Sequence, residues 1–354
     1  MTRVAGVDPG TVSFDVCVLD DDEVTFERSF RTSDVGADPE LLVKALVDHG
    51  PFELVLGPAG YGLPLVPVEQ VGERELALML LVREDEPHSR MGVGGMRSIV
   101  HALTASGLPI VFGPGAIHLP TIPPYRKWNR VDLGTADKVA SAALCIADQA
   151  NRLGVEFAET SFVMLELGGA FSAALAVDGG RIVDGLGGSA GPIGARACGA
   201  LDAEVAYLLG ATLSKRTVFS GGALDPQGDL DLSEGLEALR RDPRHGDGWL
   251  ALEEGAVKAG LALTASAPTP REILVAGRLA QAPGMIDALA ARLAHVAPVR
   301  IATGLAAARG AAVLADGLVG GRYAALVERL GVRDASGSVL DHLRVQGADS
   351  IRLR

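Results

Sequence analysis

Short runs rich in valine and other apolar residues occupy Arg3–Asp8, Ser13–Leu19 and Val24–Phe30, each closed by a polar or glycine-bearing turn. Such runs predict a three-strand meander. After Gly154 the pattern restarts, with Ser161–Leu167, Phe171–Val177 and Arg181–Asp184 again reading as three short strands. A shift of 158 positions carries Asp8 onto Glu166, Gly10 onto Gly168, Thr11 onto Gly169 and Val24 onto Ile182, without a gap. One fold unit therefore occurs twice along the chain.

Helical periodicity marks Pro39–His49, Ser89–Ser106 and Thr135–Leu153, the last with Thr135 as N-cap. Glu53–Gly57 and Pro109–Gly113 read as buried strands, while Glu73–Val82 fits helix or strand equally well. The proline-rich HLPTIPPY, His118–Tyr125, cannot be regular helix. Beyond the second meander, helices are expected at Asp202–Leu209, Gly248–Ser266, Met285–Ala294, Leu305–Leu318 and Arg322–Leu330. Strands are expected there at Thr217–Ser220, Glu272–Ala276 and Val299–Ala302. Strands alternating with helices imply an α/β protein with mostly parallel, helix-covered sheets. The expected domains are residues 1–158 and 159–354, with the C-terminal helices able to pack back on the first.

Composition narrows the function. The net charge of −12 disfavours nonspecific binding to nucleic acid or anionic membrane. No stretch reaches the roughly 18 apolar residues of a membrane helix, and MTRVAGVDPG lacks a signal-peptide pattern, so a soluble cytoplasmic protein is expected. Cys17, Cys145 and Cys198 show no metal-binding spacing and read as small apolar residues. DDDE, Asp20–Glu23, is a solvated hairpin turn.

Two turns carry the chemistry. In DPGT, Asp8–Thr11, the glycine permits close backbone approach, freed amides can point at anionic oxygens, and Thr11 adds a hydroxyl. A bare carboxylate at Asp8 would repel phosphate, but not a phosphate carrying Mg²⁺, which it can bind directly or through water. In LELGGAFSAAL, Leu165–Leu175, Gly168 and Gly169 supply an equivalent turn. Two such turns, opening two duplicated units, suit a polyphosphate held from both sides.

This constellation resembles the superfamily of acetate and sugar kinases, Hsp70 and actin. The resemblance implies two duplicated ribonuclease-H-like domains, the actin-like ATPase fold, with a central nucleotide cleft. It implies ATP and Mg²⁺, with Asp8 on the metal and Gly10, Thr11, Gly168 and Gly169 on phosphates. Gly277, in EILVAGRLAQAPGM (Glu272–Met285), would sit against the nucleoside, and Thr303–Gly317 is similar to the small-residue helix that follows. GGRIVDGLGGSAGPIGARACGALDAEV, Gly179–Val205, is similar to a segment of acetate and butyrate kinases, which puts Arg196 in the place of the arginine that stabilises the moving phosphoryl group. His118-Leu-Pro resembles their phosphoryl-contacting His-Asn-Pro. VDLGTADK, Val131–Lys138, occupies the place of their catalytic aspartate, with Asp132 favoured and Asp137 its rival. As a whole the chain most resembles the family labelled predicted butyrate kinase (domain of unknown function 1464).

The resemblance implies an acyl kinase with a small-molecule substrate, dimeric as acetate kinases are. A carboxylate acceptor is already ionised at neutral pH and needs no strong base. A hydroxyl acceptor would require Asp132 or Asp137 as general base. Three departures leave open both the hydroxyl reading and a nucleotide-gated binding protein that transfers nothing. The acyl-binding arginine of acetate kinases has no counterpart in GPAGYGLPLVP (Gly57–Pro67), where Gly60 and Tyr61 stand. Glu166 replaces their histidine before the second turn, and small residues such as Ala307 replace their late metal-binding glutamate.

Overall fold

The first three strands of the chain are β1 (Arg3–Pro9), β2 (Ser13–Asp20) and β3 (Glu23–Arg31), seen here in a computed structural model that describes residues 2–86, 93–225, 235–302 and 306–354. They are followed by α1 (Glu40–Val47), β4 (Leu54–Gly57), β5 (Val66–Pro67), α2 (Glu73–Leu80), α3 (Val93–Ala105), β6 (Ile110–Phe112) and α4 (Ala136–Leu153). The second meander is β7 (Ser161–Leu167), β8 (Ser172–Asp178) and β9 (Arg181–Leu186). Then come α5 (Ala203–Leu209), α6 (Lys215–Val218), α7 (Gly246–Leu263), β10 (Glu272–Ala276), α8 (Met285–Leu293), β11 (Val299–Ile301), α9 (Ala306–Leu318) and α10 (Ala324–Leu330). The expected helix starts at Ser89 and Leu305 lie outside the described residues.

The chain divides into two units. Residues 1–131, 135–158 and 304–354 make the first, and residues 132–134 and 159–303 make the second. In the first, the sheet order is β3-β2-β1-β4-β6-β5, and in the second it is β11-β10-β7-β8-β9. Read from the meander inward, both run third, second and first strand, then two parallel strands.

The duplication extends to register. Asp8 lies opposite Asp15 and Glu166 lies opposite Ala173. The second hairpin slips register between Val18 and Leu19 in one meander, and between Ala176 and Val177 in the other. Both the opposed pairs and the slips obey the 158-residue shift. A bulge inserted at the same point twice is a built feature, because it sets the twist of the strand it bends.

In the first unit, one sheet face packs Val7, Phe14, Val16 and Phe30 into a core with Leu42 and Leu46 of α1, Leu76 and Met79 of α2, and Ile99 and Leu103 of α3. The other face receives α9. Gly6 makes that approach possible, since a Cβ there would lie 2.3 Å from both the Ala308 carbonyl oxygen and the Ala312 amide nitrogen. On its far side α9 meets α4 as tightly, for a Cβ on Gly310 would lie 1.9 Å from the Ala140 carbonyl oxygen.

Glu73–Val82, ambiguous in sequence, is helical as α2. Thr217–Ser220, expected as a strand, is instead helical through Lys215–Val218. The β-branched run suggested a strand, but Ser214 and Thr217 form a capping box, with the Ser214 amide donating to Thr217 Oγ1 at 3.2 Å. No helix among the described residues is long and apolar enough to cross a membrane.

Candidate functional site

The turn after β1 and the turn after β7 are built alike. A Cβ on Gly10 would lie 2.6 Å from the Ser13 carbonyl oxygen, and one on Gly168 would lie 2.9 Å from that of Phe171. The chain folds back on itself at both points, three residues after each glycine. Among the described residues, no acceptor takes the amides of Thr11 and Val12, or those of their counterparts Gly169 and Ala170. Successive amides left free in a tight turn form an anion-binding concavity. The donors fit a metal-bound phosphate: amides and the exposed Thr11 hydroxyl for oxygens, and the Asp8 carboxylate for the cation.

In the first unit the Asp8 turn stands at the carboxyl ends of β1, β4 and β6, where ligands of open α/β sheets bind. A pocket there is lined by Pro9, Gly57, Pro58, Gly113, Pro114 and Asp137, with small residues of α4 and α9 around them. Asp137 sits in the first turn of α4 and accepts from the Thr135 hydroxyl and the Lys138 ammonium. Burial alone would push its carboxyl up, but the adjacent Lys138, with the Thr135 hydroxyl, holds it below the usual carboxylate range. Thr135 occupies the N-cap position without capping through its side chain.

His118 is not among the pocket residues. It is 3% exposed, and its Nδ1 lies 3.2 Å from the Gly115 carbonyl oxygen. Burial lowers its pKa to about 4, against the raising effect of the Gly115 carbonyl, with Lys127 lowering it further and Asp341 and His342 adding opposed smaller effects. The imidazole is therefore neutral at pH 7, able to donate one hydrogen bond but not to carry charge. Lys127, also buried, donates from Nζ to the Leu119 carbonyl at 2.8 Å.

A group whose folded pKa lies below its unfolded value binds fewer protons when folded. His118 thus contributes stability that is complete above about pH 6.5 and is lost as pH falls toward 4. The loss approaches about 3 kcal/mol. His118→Gln is expected to flatten this part of the stability profile, measured by urea unfolding at steps between pH 7 and 4.5. An unchanged profile would show that the imidazole does not titrate with folding.

The second unit brings Gly168, Gly169, Arg196 and Gly277 together at one turn, and Asp132 belongs to the same unit. The Ala170 carbonyl, one residue past the glycines, accepts from the amides of both Arg196 and Ala197 at 3.1 Å. Arg196 is thereby fixed to the turn by its own main chain. Its Nε stands 3.7 Å from Asp225 Oδ2, and its side chain is 27% exposed. Gly277 ends β10 at φ +86°, and a Cβ there would lie 2.5 Å from the Leu167 carbonyl oxygen and 3.0 Å from Glu166 Oε1. A side chain at that position would fill the space beside the turn.

Asp132 belongs to this unit, whereas its rival Asp137 belongs to the first. Asp132 is 4% exposed. Its Oδ1 accepts from the Gly134 amide, and its Oδ2 accepts from the amide and hydroxyl of Ser189, all at 3.0 Å. It ties the start of the GSAGPIGARAC loop in place. Ser189 escaped sequence reading because a serine in a glycine-rich loop carries no signal of its own. Among the described residues, no three His, Cys, Asp or Glu side chains gather to hold a metal ion.

Twin meanders of matching register, two parallel strands added to each and a glycine turn opening each define the duplicated actin-like ATPase fold. The chain belongs to the DUF1464 family, described as a protein of unknown function, whose model matches residues 6–345. Among solved structures it is similar to a propionate kinase from Francisella tularensis subsp. tularensis SCHU S4, at 12% identity and TM-score 0.61 over 88% of this chain and 98% of that one. It is also similar to Porphyromonas gingivalis acetate kinase, at 13% identity and TM-score 0.59 over 90% and 100% of the two chains. Acetate kinase from Entamoeba histolytica matches at 11% identity and TM-score 0.55 over 83% and 87%. Identities this low carry the fold and nothing finer. No curated protein matches the chain by sequence.

Proposed function

We propose that the protein is an ATP-dependent phosphotransferase whose acceptor is a small carboxylate. The observation that carries this reading is the pair of equivalent turns, each offering two successive amides without an acceptor among the described residues. The acyl acceptor is proposed by analogy with the propionate kinase and acetate kinase whose solved structures share the fold.

Phosphoryl transfer passes through a loose, charge-rich transition state, so catalysis is mostly positioning and electrostatics. The amides after Gly10 and Gly168 hold phosphate oxygens, and Asp8 holds the Mg²⁺ that screens them. Arg196 offers its planar guanidinium fork to the phosphoryl group in transit, steadied by its main-chain bonds to Ala170 and by Asp225. Gly277 leaves room for the nucleoside beside Glu166. Asp132 holds the Arg196-bearing loop through Ser189 rather than presenting a free oxygen.

A hydroxyl acceptor is the second reading, favoured by one observation. Asp137 lines the pocket beside the Asp8 turn, and Lys138 keeps it ionised, as a general base must be.

With Mg²⁺ present, ATP is expected to raise the melting temperature, by about 3 kcal/mol of stabilisation at a hundredfold excess over Kd. ADP release is then scored against short carboxylates and against polyols. Turnover with carboxylates supports the acyl kinase, and turnover with polyols alone moves the assignment to the hydroxyl reading. An ATP shift without turnover on either panel leaves a nucleotide-binding protein, and no shift at all removes the nucleotide reading.

A further inference from the structure

α5 is a helix of seven residues, AEVAYLL, and none of its side chains is buried. A helix this short holds by packing an apolar face against something, since its own turns are too few to sustain it. Tyr207 is 80% exposed, Leu208 79% and Val205 42%, while Ala206 and Leu209 on the opposite side are half-buried. Glu204, Tyr207 and Leu208, spaced i, i+3 and i+4, share the outward face. Single apolar side chains on a surface are ordinary, but adjacent ones on an uncovered helix mark a contact surface.

The charges around this face say what covers it. Residues 202–216 read DAEVAYLLGATLSKR, with Asp202 and Glu204 at the start, Lys215 and Arg216 at the end, and no charge between. The stretch is neutral in a protein of net charge −12, and its two ends are opposite in sign. Glu204 and Arg216 are exposed, and neither has an ion-pair partner among the described residues. A surface with unlike ends and an apolar middle complements its own copy turned end for end. That is the requirement of a two-fold contact, in which each patch meets the same patch on the other copy. A uniformly acidic or basic partner would be attracted to one end and repelled by the other.

We propose that α5 and α6 form a two-fold interface between two copies of this chain. Glu204 of each copy faces Arg216 of the other, and Tyr207 and Leu208 pack between the two charge pairs. All of these residues belong to the second unit. The stretch is shorter than the roughly 20–30 residues a side of a standard interface, so a weak dimer is expected, with a Kd of about 1–10 μM. Nothing in this contact depends on the phosphate turns, so it holds or fails apart from nucleotide binding.

The test is sedimentation equilibrium of the full chain at concentrations up to about 100 μM, without nucleotide. Wild-type protein is expected to dimerise. Leu208→Glu places a charge at the centre of the contact and is expected to raise Kd about tenfold or more. Glu204→Arg and Arg216→Glu, each alone, put like charges face to face twice and are expected to weaken association by a similar factor. Mixed in equal amounts, these two variants recover both attractions, one copy supplying two arginines and the other two glutamates. The mixture should therefore associate as wild type does, although each variant alone does so only weakly. All three changes fall on exposed side chains, so melting temperatures matching the wild type's separate a lost contact from a lost fold. The proposal is overturned if wild-type protein is monomeric throughout that range, if Leu208→Glu associates as wild type does, or if the mixture associates no more than its components. A wild-type monomer is the result expected if a different protein sits on α5.

Discussion

Arg196→Ala is expected to cut phosphoryl transfer about a thousandfold, the scale at which a transition-state arginine acts, while the ATP-dependent thermal shift survives. The separation follows from where the residue is anchored. Its amide, not its side chain, bonds to the Ala170 carbonyl, so alanine keeps the loop-to-turn connection that shapes the phosphate concavity. What disappears is the guanidinium and its approach to Asp225. Arg196→Lys should recover little, because an ammonium cannot present two parallel donors to phosphoryl oxygens. Steady-state ADP release gives the kcat, and a melting curve with and without Mg-ATP gives the binding. Unchanged turnover in Arg196→Ala would sink the acyl-kinase proposal outright. Loss of the thermal shift together with turnover would instead make Arg196 part of the ground-state nucleotide site.

Gly6→Ala is expected to destabilise the first unit strongly. The added carbon would stand 2.3 Å from two backbone atoms of α9, and backbone cannot yield as the tip of a long side chain can. Either α9 lifts from the sheet or β1 bends, and α9 is also pressed against α4 through Gly310. Forced overpacking of this kind costs about 3 kcal/mol or more, which lowers the melting temperature by roughly 6–12 °C in a unit of this size. Gly36→Ala provides the control, since a Cβ there meets nothing within 4 Å. It should be neutral or slightly stabilising, because Gly36 lies in a short helix, Thr32–Ala37, where alanine is the better helix former. Equal melting temperatures for Gly6→Ala and the wild type would mean that α9 does not press on β1 as described.

The sequence carried the duplicated meander because strand pattern, turn residues and spacing all repeat at one offset. It could not carry the matching register slips, which depend on how strands pair rather than on which residues are apolar. Thr217–Ser220 was misread because β-branched residues favour strands only when another strand lies beside them, and here a serine-threonine cap closes a helical turn. The site divided in the same way. Arg196, Gly168 and Gly277 stand close to one turn because each is fixed by backbone geometry, which local motifs encode well. His118 and Asp132 are defined by burial and by partners distant in sequence: Lys127 and the 341–342 segment for one, Ser189 for the other. Nothing in HLPTIPPY or VDLGTADK announces those surroundings.

The placing of residues 304–354 with the first unit separates the order of synthesis from the order of completion. Apart from residues 132–134, the second unit is one continuous stretch of chain, 159–303, and has all its strands once that stretch is made. The first unit, although begun earlier, still lacks α9, so the Gly6 face of its sheet stays bare until α9 has left the ribosome. The usual rule for nascent chains, earlier domain first, is reversed here. Strands β1 and β2 are made well before α9 and stay uncovered on that face until it follows.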